Sequence, residues 1–391
     1  MIICNGKIMT MNGPVIEQGY IKIIGSKIAE IGDMKELDDK NSSGVLPDNS
    51  DTRLDVSGML VMPGIIDAHS HIGITEEKKG VIGDDCNECT NPVTPSLRAI
   101  DAINPMDSAF HEAIAAGITG VLVGPGSANV IGGQFAFIKT HGRCIDDMIV
   151  KAPAAMKAAL GENPKVCYGD QNKYPATRMA NAAILRNILR KTQLYNPDEG
   201  FDADLEAMLP VIRREIPLKV HAHRADDILT AIRIAKEFNI NITLDHCTEG
   251  HLIVEHIKKS GFPAIVGTDL TSKNKIEVAN MSFKTCGVLN SAGILTAITT
   301  DHPVALIQYL SLCAGLSVRA GLPMEEAYKS ITINPARICG VDARVGSLEV
   351  GKDADIAIFD GNPMNTFTNT VYTIIDGKIV YSKDNTCSTG Y

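Results

Sequence analysis

The chain has 391 residues, 45% of them hydrophobic and 21% charged, with a net charge of −9. That length exceeds one small domain and supports a large core, while an acidic balance without a basic stripe argues against a nucleic-acid partner, because phosphate binding draws on clustered Lys and Arg. The apolar runs fall far short of the roughly 18 residues that span a bilayer, and no charged segment leading into an apolar stretch marks a signal peptide. A cytoplasmic protein acting on a small molecule, with no membrane or nucleic-acid partner and with self-association into a homo-oligomer, is the expectation.

Residues 1–60 read as short strands and turns: Ile2-Ile3-Cys4, Tyr20 to Ile23 and Lys27 to Ile31 lie between turn signals such as Asn12-Gly13. Asp38 to Thr52 is polar and reads as a loop. The end of the chain has the same texture, with Val345 to Leu348, Ala354 to Phe359 and Val371 to Val380 around a turn at Asp376-Gly377. Neither set could make a stable sheet alone, so residues 1–60 and 345–391 are expected to pair as one small β-sandwich domain.

Between them the pattern becomes strand, loop, helix, repeated. Candidate second, third and fourth strands are Gly120 to Val123, Gln134 to Ile138 and Ala155 to Leu160. Leu218 to His223 is a strand followed by a helix over Asp226 to Phe238, with Ile228, Ile232 and Ala235 on one face. Asn241 to His246 is the next strand and His251 to Ser260 a helix stopped by Gly261. Phe262 to Val266 is a strand, Ile276 to Val288 a helix and Leu295 to Asp301 the last strand. Alternating strands and helices indicate parallel βαβ units. The expected α/β fold is a (β/α)8 TIM-like barrel over residues 61–344, since such a barrel takes about 250 residues; an open α/β sheet is the structural rival.

The strongest local signal is Met62-Pro63-Gly64-Ile65-Ile66-Asp67-Ala68-His69-Ser70-His71. Residues two apart in a strand share a face, so His69 and His71 can present both imidazoles to one ion; two ordinary packed histidines are the competing explanation. Position favours the ion. His223, His246 and Asp301 close three further predicted strands, and barrel sites are built where strands end and the βα loops begin. Neutral nitrogen donors with an anionic oxygen also suit a hydrolytic metal. The cysteine pair Cys86-x-x-Cys89 lacks the second pair that a structural zinc site needs.

The Pro63 to His71 run resembles the first-strand signature of the amidohydrolase superfamily, and Thr300-Asp301-His302-Pro303 resembles its last-strand motif. The tail from Asn334-Pro335-Ala336-Arg337 through Gly346 to Ile356 is similar to the segment returning to the small β domain in that superfamily. Within it the chain is similar to the branch grouped with imidazolonepropionase. The resemblance implies a metal-dependent hydrolase of carbon–nitrogen bonds other than ordinary peptide bonds, linear or cyclic. It implies one or two divalent ions, with Zn2+ expected and Fe2+ or Mn2+ as alternatives. His69, His71, His223, His246 and Asp301 match its metal ligands, and His221, on the inward face of the same strand as His223, is a second candidate there and a substrate contact otherwise. Members with two ions bridge them from the fourth strand with a carboxylated lysine or a glutamate. Glu162 is the first choice here, because it follows the strand, and Lys157 is the alternative.

Asp301 is also the expected catalytic proton acceptor, passing the proton of water to the leaving nitrogen. His302, adjacent in the strand and facing away, suits a packed role. Gln134 and His141, around the third strand, and Arg178, in the long stretch after Glu162, are candidate substrate contacts, each against the alternative of an ordinary solvated side chain. Thr75 to Pro95 reads as a mouth loop, and Thr271 to Lys275 could add positive charge there. Hydrolytic deamination of an amino-heterocycle is the second reading. A non-catalytic relative, which would lose its ligands, is the third.

Overall fold

The structure is a computed structural model in which residues 1–42, 52–77 and 80–384 are described. The chain opens with β1 (Ile2–Ile8), β2 (Ile16–Ile24), β3 (Lys27–Asp33), β4 (Arg53–Asp55) and β5 (Leu60–Pro63). The barrel strands follow as β6 (Ile65–Ser70), β7 (Ile118–Val123), β8 (Ile131–Lys139), β9 (Ile149–Ala159), β10 (Leu218–Ala222), β11 (Ile242–His246), β12 (Ala264–Val266) and β13 (Thr296–Ile298). The chain returns through β14 (Ile356–Phe359), β15 (Thr370–Ile375) and β16 (Lys378–Ser382).

Both termini enter one sheet, as expected. Its order is β16-β15-β14-β5-β1-β2-β3, with β4 beside β1. The register Ile356↔Pro63 through Phe359↔Leu60 joins the two ends of the chain. Ile3, Ile21, Ile28 and Val61 pack with Leu348, Ile356, Ile358 and Ile374 in a common buried cluster, so each end lends the other the apolar cover it lacks alone. The hydrogen bonding is that of a single continuous sheet, not of two separate stacked sheets. Met34–Ser42 is a helix, where a loop was expected from Asp38 onward; the remainder of that loop, 43–51, lies outside the described residues. Val345 to Leu348 is not a strand.

The second sheet runs β13-β12-β11-β10-β9-β8-β7-β6. β6 pairs parallel with β7, and β9 through β13 are parallel to one another. β8 is antiparallel to both β7 and β9, which corrects the expectation of an all-parallel barrel. The reason is chain length: only residues 124–130 separate β7 from β8, and a parallel return needs a crossover of about a dozen residues or more. The strands read as near-continuous apolar runs buried on both faces. Leu218, Val220 and Ala222 join the main core under the helices, while Lys219 and His221 alternate with them and face the barrel interior.

No ladder joins β6 to β13 at the ends of this order; side chains bridge the two instead. Asp67, fully buried, accepts from Thr299 Oγ1 at 2.6 Å, from Thr300 Oγ1 at 2.6 Å and from the Thr300 backbone N–H at 3.0 Å. Thr299 Oγ1 also lies 2.7 Å from the carbonyl of His69. This seam brings Asp301 beside the His69-x-His71 pair. Helix Ala225–Phe238 buries Ile228, Ala231, Ile232 and Ala235 and ends at Asn239 in the left-handed conformation. The helix expected from Ile276 begins only at Lys284, because the preceding residues turn inward to deliver Lys275 and Glu277 to the interior.

Candidate metal centre

Two clusters of possible ligand atoms face one cavity of about 420 Å³ at the C-terminal end of the parallel strands. One is His69, His71 and Asp301, from β6 and the end of β13; the other is His221, His223 and His246, from β10 and β11. Asp301 Oδ1 stands 3.4 Å from His69 Nε2 and 3.3 Å from His71 Nε2, and Asp301 Oδ2 is 3.9 Å from His246. The rings of His69 and His246 are 5.0 Å apart, so the clusters are neighbours. His246 and Asp301 both adopt positive φ, 68° and 54°. This conformation is unusual for residues other than glycine; it interrupts strand alternation, so Asp245 and His246 both reach the interior.

Each ring but one is tied down through Nδ1. His69 Nδ1 lies 2.8 Å from Asp245 Oδ2, His71 Nδ1 2.6 Å from the Gly124 carbonyl, His246 Nδ1 2.8 Å from the Gly267 carbonyl and His223 Nδ1 2.7 Å from Thr248 Oγ1. Carboxylate and carbonyl acceptors fix the Nδ1–H form and leave Nε2 for an ion. Burial pushes the pKa values of His69, His221 and His246 well below the ordinary imidazole value, and that of His223 down to about 3. These four are neutral donors. His71 differs: burial lowers it, but Cys86 and Asp301 outweigh that and raise it to about 10. Asp301 stays anionic: burial raises its pKa, but the hydrogen bond and charge of the cationic His71 ring are among the contacts that bring it below the ordinary carboxylate value.

Lys157 completes the arrangement. It is 1% exposed, its Nζ lies 3.2 Å from His69 Nε2, and burial brings its pKa down to about 8. Lys219, one strand over and paired in register with it, is fully buried with Nζ 2.9 Å from Asp245 Oδ2 and 2.9 Å from the Ala68 carbonyl. The donor chemistry fits divalent cations of the zinc type: four neutral imidazoles, a fifth on His71 that gives up its extra proton to an ion, one carboxylate and an amine with a depressed pKa enclose one space.

The structure brings His69, His71, His223, His246, His221 and Asp301 together as the sequence suggested, with His221 beside His223 in the second cluster. Glu162 is elsewhere: it opens the helix Glu162–Gly169 after a turn at Gly161 with φ of 85° and does not line the cavity, where Lys157 does. His141 is exposed beyond the end of β8. Because β8 runs backwards, that end points away from the site, toward the terminal sheet and Lys378. Gln134 also lies outside the cavity lining, its Nε2 donating to the Pro95 carbonyl at 3.3 Å. Arg178 pairs with Asp227 at 3.0 Å instead of facing the cavity. His302 is packed, accepting from the Ile307 N–H at Nδ1. Sequence reasoning missed Asp67, Asp245, Lys219, Asn163 and Glu277. Strand alternation could have marked Asp245 and Lys219, but not their partners.

The Amidohydrolase family profile matches residues 174–380. An amidohydrolase from Thermotoga maritima MSB8 superimposes with a TM-score of 0.92 at 35% identity, covering 98% of this chain and 100% of that one. The imidazolonepropionase of Fusobacterium nucleatum is 24% identical over 95% of this chain and 94% of its own length. The amidohydrolase tasK of Hapsidospora irregularis is 28% identical over 92% of this chain, which spans only 40% of that protein. The chain belongs to the amidohydrolase family. It is a hydrolase acting on carbon–nitrogen bonds in small molecules, with imidazolonepropionases among its relatives and the barrel those relatives imply. Among the described residues no helix is long and apolar enough to cross a membrane.

Proposed function

We propose that this hydrolase opens a linear or cyclic non-peptide amide with water activated by two divalent ions, zinc in the first instance and Fe2+ or Mn2+ as alternatives. The observation that carries the reading is the pair of ligand clusters in one cavity with Lys157 beside them. His69, His71 and Asp301 would hold one ion and His221, His223 and His246 the other. Residues 61–344 form the catalytic domain in this reading, and 1–60 with 345–391 the supporting β domain.

Bound ions supply Lewis acidity at the carbonyl and make a nearby water acidic enough to ionise near neutral pH. The protein supplies the rest. Lys157, with its pKa near 8, has a substantial neutral fraction; its amine can add to carbon dioxide, forming an N–C bond and releasing a proton. The resulting carbamate is a carboxylate able to serve both clusters, and it replaces Glu162 as the proposed bridge. Asp301, anionic and 16% exposed at its side chain, can accept a proton from water and return it to the leaving nitrogen. His69 is held for its task by Asp245, and His71 by Gly124. Most of the residues lining the cavity are polar, Thr75, Asn87, Ser127 and Asn163 among them, with Val278 and Val304 adding apolar surface, which suits a small substrate with both hydrogen-bonding and apolar parts.

The test is turnover of a panel of lactams, hydantoins and N-acyl amines in 18O-water by protein reconstituted with Zn2+ and bicarbonate. One 18O in a new carboxylate, together with the freed amine, and loss of both after chelation are expected. Formation of a ring carbonyl with release of ammonia from amino-heterocycles alone would instead make it a deaminase.

A further inference from the structure

Glu277 has no part in the chemistry described so far, yet it is fully buried against the second cluster. Its Oε1 lies 3.7 Å from Nε2 of both His221 and His223. Its Oε2 accepts the backbone N–H of Glu162 at 3.0 Å. Lys275 Nζ sits 2.6 Å from Oε1 and supplies the counter-charge, but Oε1 accepts no aligned hydrogen bond among the described residues. A carboxylate anchored at one oxygen and aimed at two rings with the other is costly to bury unless it has a task there.

His221 shows what that task is. His69, His71, His223 and His246 all use Nδ1 for a protein partner, whereas Nδ1 of His221 is buried with none among the described residues. Its ring is therefore reversed relative to the others, and Nδ1 is the nitrogen left for an ion. A neutral imidazole can offer Nδ1 only when the proton is on Nε2. The neighbour Asn163 works against that form. Lys275 donates to its Oδ1 at 2.9 Å and its Nδ2 donates to Ser127 Oγ at 2.7 Å, so the Nδ2 group that stands 3.4 Å from His221 Nε2 is a donor. Glu277 is the acceptor that opposes it, and a hydrogen bond to an ionised group is roughly twice as strong as a neutral one.

We propose that Glu277 is the positioning residue of the second ion: its carboxylate takes the Nε2–H of His221 and turns the Nδ1 lone pair of that ring into the site. This rests on the two-ion reading above. Closing the present 3.7 Å to about 2.8 Å is the adjustment that ion uptake requires. The negative charge also faces His223, so it favours a cation held by both rings.

The test is titration of chelator-stripped protein with Zn2+ in bicarbonate, followed by calorimetry, for the wild type, Glu277→Gln and Glu277→Asp. Glu277→Gln is expected to weaken the second ion by about 10–100-fold and leave the first unchanged, with partial recovery in Glu277→Asp. 15N-histidine spectra of the zinc-loaded wild type, assigned through His221→Asn, are expected to show His221 bound through Nδ1 with its proton on Nε2, which needs no folded Glu277 variant. The Nδ1–H form in the wild type, an undiminished second affinity in Glu277→Gln, or equal loss of both ions would overturn the role of Glu277 alone. Failure of the wild type to take up any ion would overturn the two-ion reading along with it.

Discussion

Nδ1 of His69 and Nζ of Lys219 share one oxygen, Oδ2 of Asp245, at 2.8 and 2.9 Å, and all three side chains are fully buried. The ring of a proposed ligand is thus oriented by a carboxylate that is itself neutralised by a lysine beneath it. Removing one partner strands a buried charge, which costs about 3–5 kcal/mol. Asp245→Asn and Lys219→Met should each destabilise the ion-free protein by that order. The double variant should cost less than the sum of the singles. Urea unfolding of the four proteins measures this, and additive losses would mean that the pair is not coupled.

Lys157→Ala is expected to retain the fold and lose ion content, because Asp245 and Asp301, the buried carboxylates that feel its charge, keep Lys219 and His71 as partners. Metal analysis should fall from two ions per chain to one or fewer. Added formate or acetate should restore part of the second ion and of the turnover by standing in for the carbamate. Full ion content in the variant would remove Lys157 from the bridge.

Asp301→Asn keeps shape and an oxygen donor but not the capacity to take a proton. Loss of general acid–base help costs about 10²–10⁴-fold in rate. The expected outcome is a fall of that size in kcat with KM little altered, read by steady-state kinetics on the substrate found above. A change confined to KM would make Asp301 a binding group only.

Much of this site was legible because its information is local. The His69-x-His71 spacing needs only strand periodicity, and His246 and Asp301 needed only the rule that barrel sites gather at strand ends. What the sequence left open depended on distant partners. His141 is a candidate substrate contact, against the alternative of a solvated side chain, only while β8 is parallel; the reversal of β8 follows from the short 124–130 connection and places His141 at the other end. Glu162 was preferred for following its strand, but Gly161 turns the chain into a helix, while Lys157, deeper in β9, reaches up to His69 along its long stem. Arg178 found Asp227, a partner 49 positions away that no local pattern announces.

The same reversal of β8 places Lys139 at the junction of the barrel with the terminal sheet, where it meets Asp353 at 2.8 Å and Asp355 at 3.0 Å. Lys27 and Arg344 also bind Asp353, at 2.6 and 2.7 Å. Burial alone would raise the pKa of Asp353, but Lys139, Lys27 and Arg344 outweigh it and lower it to about 2. The unfolded chain therefore takes up the proton first as pH falls. The stabilisation is fully present above the ordinary carboxylate pKa and is lost as pH drops through 2, an effect of about 2 kcal/mol. Asp355 in the same cluster is shifted the other way, to about 6 by burial, so the comparison must isolate Asp353. The stability gap between wild type and Asp353→Asn should be widest near pH 6 and shrink by about that amount toward pH 2. A gap independent of pH in urea unfolding would contradict the assigned shift.

The most direct measurement is crystallographic: anomalous scattering at the zinc edge from crystals grown with Zn2+ and bicarbonate. Two peaks about 3.5–4 Å apart, one against His69, His71 and Asp301 and the other against His221, His223 and His246, are the predicted result. An empty cavity in zinc-replete crystals, or zinc bound only at surface residues, would contradict the account.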